Sequence, residues 1–406
     1  MEAAATPTSS WGRAHATVGA ALFLCLFAAQ AGVIVLTPVL TQIADDLDVS
    51  TAAAGQLRTV SGLSAGLAAV ALGTVARGLS LRRILISGVV GLGLASLASA
   101  AAPSFLVLAL AQALLGVSIA ALLIGGTVAA AEWVPEPHRT RVLAWALIGP
   151  PAAWIVGMPL VGAVGTIGWR WTWLVLPLVA AVIAGLAIVR RPHVPRTAAT
   201  ESMIDALHDG PTARWVLGEL LASSAWVGTL VFSGALFVES YGTSGIVTGV
   251  VLAAGAAAYA AGNVFFRRVV ECRARVLLVR LSLALAAIVA LFGIVRPSLP
   301  VSAAIFAAAG FTAGGRTLIG SAVGLGAAPQ RRRAVMGARA AAQQLGYFIG
   351  SAAAGGALAV GGYPLLGAGL AVLFVASAAA FLVDAHGRGT TLRLRAALVE
   401  PVCAAE

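Results

Sequence analysis

Not one lysine occurs in the 406 residues; all 26 basic side chains are arginine. That absence removes two chemistries. A P-loop needs its lysine on the nucleotide phosphates, and a Schiff base needs a lysine amine, so ATP-driven work within this chain is not expected. Charge of either sign is scarce, at 10% of residues, against about 25% in a soluble domain. So few polar groups cannot cover a water-soluble core of this length. Cysteine is limited to Cys25, Cys272 and Cys403 with no CxxC pair, which argues against a disulfide framework and a zinc site. The five histidines (His15, His138, His193, His208 and His386) form no ligand cluster. No metal or other cofactor is implied. No group of His, Asp or Glu gathers at one membrane face as a lipid-modifying enzyme would require, so the chain is not read as an enzyme. Nor does it carry the soluble signalling domain that a membrane sensor normally has.

What is abundant is apolar sequence. Hydrophobic residues make up 60% of the chain, and the mean hydropathy is +0.97. The runs are about 20 residues long, enough to cross a hydrocarbon core roughly 30 Å thick. Twelve spans are expected, at about 18–40, 52–75, 84–102, 105–130, 142–165, 172–189, 215–238, 244–266, 275–295, 300–326, 334–358 and 363–384. The first apolar run is too long for a cleaved signal peptide and is read as a retained span. The expected organisation is an N-terminal tail (1–17), six spans (18–189), a polar link (190–214), six more spans (215–384) and a C-terminal tail (385–406). The fold class is therefore an all-α membrane protein of two six-helix halves.

The net charge of +11 could suggest nucleic acid, but its distribution fits membrane topology. Twenty of the 26 arginines fall in alternate links and the tails, including Arg82 and Arg83, Arg139 and Arg141, Arg190 and Arg191, Arg267 and Arg268, and Arg331 to Arg333. The opposite loops hold only Arg170 and Arg296, with an acidic group at Asp45, Asp46 and Asp48. By the positive-inside rule both termini are cytoplasmic, and the lipid bilayer, not nucleic acid, is the partner.

Span 5 carries an unusual stretch, "LIGPPAAWIVGMPLVG" (147–162), with Pro150, Pro151 and Pro159 inside an apolar run. Proline costs roughly 3 kcal/mol in a helix interior. Gly149, Ala153 and Gly157 recur every four residues and offer a small-residue face for close helix approach. Across the central link there is weak self-similarity: Gly73 corresponds to Gly262 and Gly157 to Gly350, as a duplicated six-span unit would produce.

Four stretches resemble the major facilitator superfamily, specifically its twelve-span drug and sugar (arabinose-type) efflux group. "LTPVLTQIADDLDVSTAAAGQL" (36–57) looks like the family's first outer loop. "GTVARGLSLRR" (73–83) sits where the family has G-x-L-A-D-R-x-G-R-R, keeping Gly73, Arg82 and Arg83 but placing Arg77 at the aspartate. "EWVPEPHR" (132–139) supplies the family's E-x6-R as Glu132 and Arg139. The span 5 stretch followed by "GWRWTW" (168–173) is similar to the antiporter motif and the entry to span 6, although "AAW" replaces the motif's closing glycine pair. In span 4 the family's arginine is Gln112 here. The resemblance implies a plasma-membrane secondary transporter, a proton-coupled exporter of a small organic molecule working by alternating access and expected as a monomer. Uptake or facilitated diffusion by the same fold is the alternative. It also implies that spans 3, 6, 9 and 12 lie outside and the others line a central cavity. Gly73, Arg82, Arg83, Glu132, Arg139, Gly149, Pro150, Pro151, Gly157 and Pro159 become the gating and structural candidates, and span 8, with Gly255 and Gly262, the expected partner of the span 5 glycine face.

Ionisable groups inside a span are costly and usually face a partner or a cavity. They are Arg58, Glu219, Arg280, Arg316 and Arg339. Arg280 lies near a span end and is expected to snorkel. Glu219, the one carboxylate clearly within a span, is expected to pair with Arg316 or Arg339, either as a static pair or as a site for the coupling proton. With Gln30, Gln112, Trp154, Trp226, Gln343, Gln344 and Tyr347, Arg58 and Arg316 make up the substrate-cavity candidates. For each neutral residue, helix packing is the competing role. Arginines outnumber the carboxylate, so the cavity is expected to prefer neutral or anionic solutes.

Overall fold

The computed structural model describes residues 13–74, 80–190, 203–266, 274–325 and 329–386. Arg77, Cys272, Cys403, most of the central link and both chain ends lie outside them. Among the described residues the chain is helical without strands, and ten helices are long and apolar enough to cross a membrane. Two features bring the crossings to twelve. Thr51–Thr74 is a further 24-residue helix, span 2. The 58-residue helix Pro329–His386 is broken at Gly361 and Gly362 into spans 11 and 12. Gly362 there has φ 62°, a left-handed value that only glycine adopts without strain.

The remaining spans are 3 (Leu81–Ala100), 4 (Phe105–Glu132), 7 (Gly210–Tyr241), 8 (Gly245–Phe266), 9 (Ala274–Ile294) and 10 (Leu299–Leu325). Their ends follow local chemistry. Ser80, Ser104 and Asp209 cap spans 3, 4 and 7 by accepting a bond from a backbone N–H of the first turn, each worth about 1 kcal/mol. Gly242, at φ 61°, closes span 7.

Prolines segment the other spans. Span 1 is Arg13–Ile34 continued by Leu36–Asp46. The break falls at Val35 because Pro38 cannot donate to the Ile34 carbonyl. This corrects the expected end of span 1 at residue 40 and the reading of the 36–57 stretch as an outer loop: Leu36, Val39, Leu40, Ile43 and Ala44 are buried at helical spacing, and the turn is confined to 47–50. Span 5 is Glu136–Leu147 followed by Gly149–Gly165. Pro150 and Pro151 are therefore not mid-helix; they occupy the first turn of the second segment, where no intrahelical donor is needed. Pro159 is the interior one. In span 6, Trp169–Trp173 passes through a π-turn at Leu174–Leu178, containing Pro177, into Val179–Val189.

Spans 3, 6 and 9 pack within their own half, while spans 1, 2 and 5 meet spans 7, 8 and 11 across the centre. Glycines make the closest approaches. A Cβ on Gly249 would lie 2.5 Å from the Met158 carbonyl oxygen, and one on Gly245 2.6 Å from that of Gly162. On the other side of the molecule, a Cβ on Gly62 would lie 2.6 Å from the backbone nitrogen of Phe348. Span 5 against span 8 and span 2 against span 11 are thus the same contact made twice, as a six-helix duplication requires. Within the halves the repeat also holds: Gly157 packs on Ile34 of span 1, and Gly350 on Ser224 of span 7.

The span 5 glycine face has a different partner from the one expected. Gly149 abuts the backbone of Phe23 and Phe27, so this face meets span 1. Span 8 is met instead through Met158, Pro159 and Gly162, while Gly255 and Gly262 pack on Phe306 and Phe311 of span 10. Replacing Gly249 with valine should push span 8 off span 5. Spin labels at the exposed Ile167 and Ile246 should then report a distribution shifted several ångströms outward, about one side-chain thickness. An unchanged distribution would show that this contact does not hold the halves together.

Candidate functional site

The loops carrying few arginines gather at one end of the bundle, and there the halves are bolted together. Thr51 of span 2 donates a hydrogen bond to Glu239 of span 7 (2.7 Å), and Tyr363 at the start of span 12 donates to the other carboxylate oxygen (2.9 Å). The Arg296 guanidinium lies 5.3 Å over the Tyr363 ring. About two helical turns deeper the Thr59 hydroxyl donates to Ser351 (2.9 Å). Gly55 receives the Phe232 ring, and Gly234 rests on the Thr37 carbonyl. Within the first half, Asp46 accepts from the Trp169 indole (3.2 Å) and from Arg170, whose guanidinium also bonds the Ala102 carbonyl (3.1 Å). The tryptophan-rich motif therefore ties spans 1, 3 and 6 at this end.

Below the seal lies a small gap lined by both halves. Val33, Leu36 and Thr37 of span 1, Arg58 of span 2 and Trp154 of span 5 form one wall. Val227, Leu230 and Val231 of span 7 and Tyr347 of span 11 form the other. Arg58 is 3% exposed. Its guanidinium lies 4.8 Å over the Tyr347 ring and donates to Ser61 (3.3 Å). An aromatic face attracts a cation without neutralising it.

The second cluster lies deeper, within the C-terminal half. Glu219, 1% exposed, sits between two arginines. Arg339 Nε donates to Oε2 at 2.6 Å, and Arg316 Nη1 stands 2.9 Å from Oε1, an ion pair outside ideal hydrogen-bond geometry. Arg316 also donates to Ser282, Ser377 and the Gly218 carbonyl, and Arg339 to the Thr317 carbonyl. Spans 7, 9, 10, 11 and 12 all contribute. Gly320 of span 10 leaves the room for the carboxylate, since a Cβ there would lie 2.6 Å from Oε1. Eight residues separate Glu219 from Val227 and Arg339 from Tyr347, so the triad is roughly 12 Å from the cavity along the helices.

The other candidates scatter. Trp226 stacks on Tyr259 of span 8 with centroids 6.2 Å apart. Gln30 and Gln343 are half-buried. Gln344 is buried with its Oε1 unbonded. Gln112 is fully buried and donates to Ser99 of span 3 at 3.2 Å, so it faces that peripheral helix and not the cavity. Arg82 donates to the Val189 carbonyl at the end of span 6, a cation at a helix C-terminus within its own half. Arg83 is exposed, Gly73 lies in the last turn of span 2, and Glu132 closes span 4. The Arg139 side chain is outside the described residues. Sequence reasoning did not identify Tyr259, Gly320, Ser282 or Ser377. Gly320 carried a signal, lying one helical turn from Arg316 on the same face.

Removing one member of a buried ion pair costs about 3–5 kcal/mol. Glu219→Gln strands two arginines, whereas Arg316→Met or Arg339→Met leaves Glu219 one partner. Thermal unfolding of the purified protein should therefore rank Glu219→Gln as the most destabilised, with Glu219→Gln/Arg339→Met partly recovered. Equal losses in all three single variants would contradict the shared triad.

The sequence model of the Major Facilitator Superfamily matches residues 22–244, more than half of the chain. A transcription regulatory protein, OpdE, of Pseudomonas aeruginosa is 33% identical over 163 residues, 40% of each chain. A chloramphenicol efflux pump of Mycobacterium tuberculosis is 30% identical over 211 residues, 52% of this chain and 50% of the pump. The chain thus spans half or less of the length of these relatives. Among solved structures, the nucleoside transporter NupG superposes with a TM-score of 0.71 at 14% identity, covering 91% of this chain and 99% of that one. An inward-facing bacterial homologue of the lysosomal transporter Spinster gives 0.68 at 14%, covering 92% and 96%. The human organic anion transporter MFSD10 gives 0.68 at 16%, covering 91% and 100%. These likenesses carry the fold. Together with the family match they establish that the chain belongs to the Major Facilitator Superfamily.

Proposed function

We propose that this protein is a secondary active exporter of a small organic molecule, coupled to protons. It would lie in the plasma membrane with both termini and the arginine-rich links in the cytoplasm. The observation that carries the reading is the small cavity between spans 1, 2 and 5 and spans 7 and 11, lined by both halves and covered at the arginine-poor end by the Glu239 and Ser351 contacts. Such a site, built half from each repeat, changes its opening when the halves rock. On this reading the structure is a state closed at the arginine-poor face. The relative named as a chloramphenicol efflux pump supports export.

Glu219 is the coupling candidate. Arg339 approaches it from span 11, and span 11 is also the helix that packs on span 2 across the halves. Rocking would pull on span 11 through its contact with span 2, and bending of that helix within its own half would draw Arg339 off the carboxylate and leave it free to take a proton. Gating is assigned to the Gly249–Met158 and Gly62–Phe348 contacts and the Glu239 bolt. Gly149, Pro150, Pro151 and Gly157 act in this scheme by setting span 5 against span 1.

Everted vesicles with an imposed pH gradient test both parts. Chloramphenicol, sugars and small metabolites are added in turn, and an exported substrate should partly collapse the gradient. Glu219→Gln should retain substrate binding and lose the gradient response. Unaltered gradient-driven transport in that variant would remove Glu219 from coupling. Equilibration of substrate down its own gradient, with no response to the pH gradient, would favour the permease alternative. A second reading, signalling without transport, is favoured by the relative named as a transcription regulatory protein. Ligand binding with no flux of any panel compound would support it over export.

A further inference from the structure

The geometry points to an organic anion with a flat apolar body as the substrate class of the central cavity, its carboxylate held by Arg58 and the Tyr347 hydroxyl. This rests on the reading of that cavity as the transport site.

The argument starts from charge. Among the described residues three arginines and one carboxylate are buried inside the spans. Arg316 and Arg339 share Glu219, and their remaining hydrogen bonds go to neutral oxygens of the same half. Arg58 stands apart. It has no carboxylate partner among the described residues, and of the five N–H donors of a guanidinium one is used, by Ser61. Tyr347 holds the guanidinium over its ring, and its hydroxyl makes no hydrogen bond among the described residues. A buried cation left with spare donors is a costly arrangement, and it persists most readily where an incoming anion completes it.

The walls define the rest of the ligand. Beyond Arg58 and Tyr347 the lining is aliphatic, apart from the Thr37 hydroxyl and the Trp154 indole. Among the described residues no acidic side chain lines the space, so a cationic ligand would meet Arg58 uncompensated. A neutral ligand would leave the guanidinium as it is. A carboxylate presents two acceptor oxygens to a planar fork of donors, the pairing for which arginine is suited, while Trp154 and the valines cover a flat apolar body. The charge, not the aromatic ring, is the discriminating feature.

The test uses the purified full chain in detergent and three probes of one shape: 1-naphthoate, 1-naphthamide and 1-naphthylmethylamine, followed by naphthalene fluorescence. The acid should bind at least about tenfold more tightly than either analogue, the range of one charge-assisted contact. Arg58→Gln should abolish that preference, and Arg58→Lys should keep part of it. Tyr347→Phe should weaken the acid a few-fold and leave the amide unchanged, which guards against a misfolded Arg58 variant. Arg280→Gln, an exposed arginine in span 9, should change nothing. No binding of the acid, or an acid preference that survives Arg58→Gln, overturns the proposal. Flux in proteoliposomes separates the two readings. Arg58-dependent acid binding without flux refutes the transporter and keeps the anion site. Flux without acid preference does the reverse.

Discussion

A guanidinium placed in hydrocarbon has to be answered by something, and the answers given to four arginines organise this molecule. Arg280 is exposed near the end of span 9 and escapes the problem. Arg316 and Arg339 are answered by Glu219, an arrangement to which five helices of the second half contribute. Arg58 is answered only by a serine hydroxyl and the face of a tyrosine from the opposite half. The first three are structural solutions in the sense that nothing more is needed. The fourth is incomplete, and it occurs where the two halves leave space between them.

Rigid halves are useful only if the surface between them can be unmade. Here that surface is built from glycines lying on backbone: Gly245, Gly249 and Gly162 on one side, Gly62 on the other. Helices touching in this way have few interlocking side chains to disengage, and in lipid there is no hydrophobic gain from keeping them together. The polar bolts at Glu239 and Ser351 are a small number of hydrogen bonds, each worth about 1 kcal/mol net. A stiff interior in the second half and a weakly held seam suit a molecule that rocks as two bodies.

Much of this was legible in the sequence, because membrane helices announce themselves by length and apolarity and arginine alternation marks the links. The twelve spans, the two halves and the partners of Glu219 could be anticipated from one chain. The misreadings share a cause. Span 1 is expected to end near residue 40 but runs on to Asp46, because the acidic end hides the continuing period of Leu36, Val39, Leu40, Ile43 and Ala44. The Gly149–Gly157 face was assigned to span 8 when it meets span 1, since a stripe of small residues says that a helix comes close without saying which. Gln112 and Arg82 found partners inside their own half because hydrogen-bond direction depends on helix rotation, which periodicity in a nearly all-apolar span leaves undetermined.

The central claim is that one cavity is reached from one face of the membrane at a time. The most direct measurement replaces Cys25, Cys272 and Cys403 with serine, introduces Leu230→Cys in the cavity wall, and applies a membrane-impermeant thiol reagent to right-side-out and to everted vesicles. The account predicts reaction from the arginine-rich face in the state described, with access gained from the opposite face only as access from the first is lost. Simultaneous reaction from both faces, or protection from both in every condition, would contradict it.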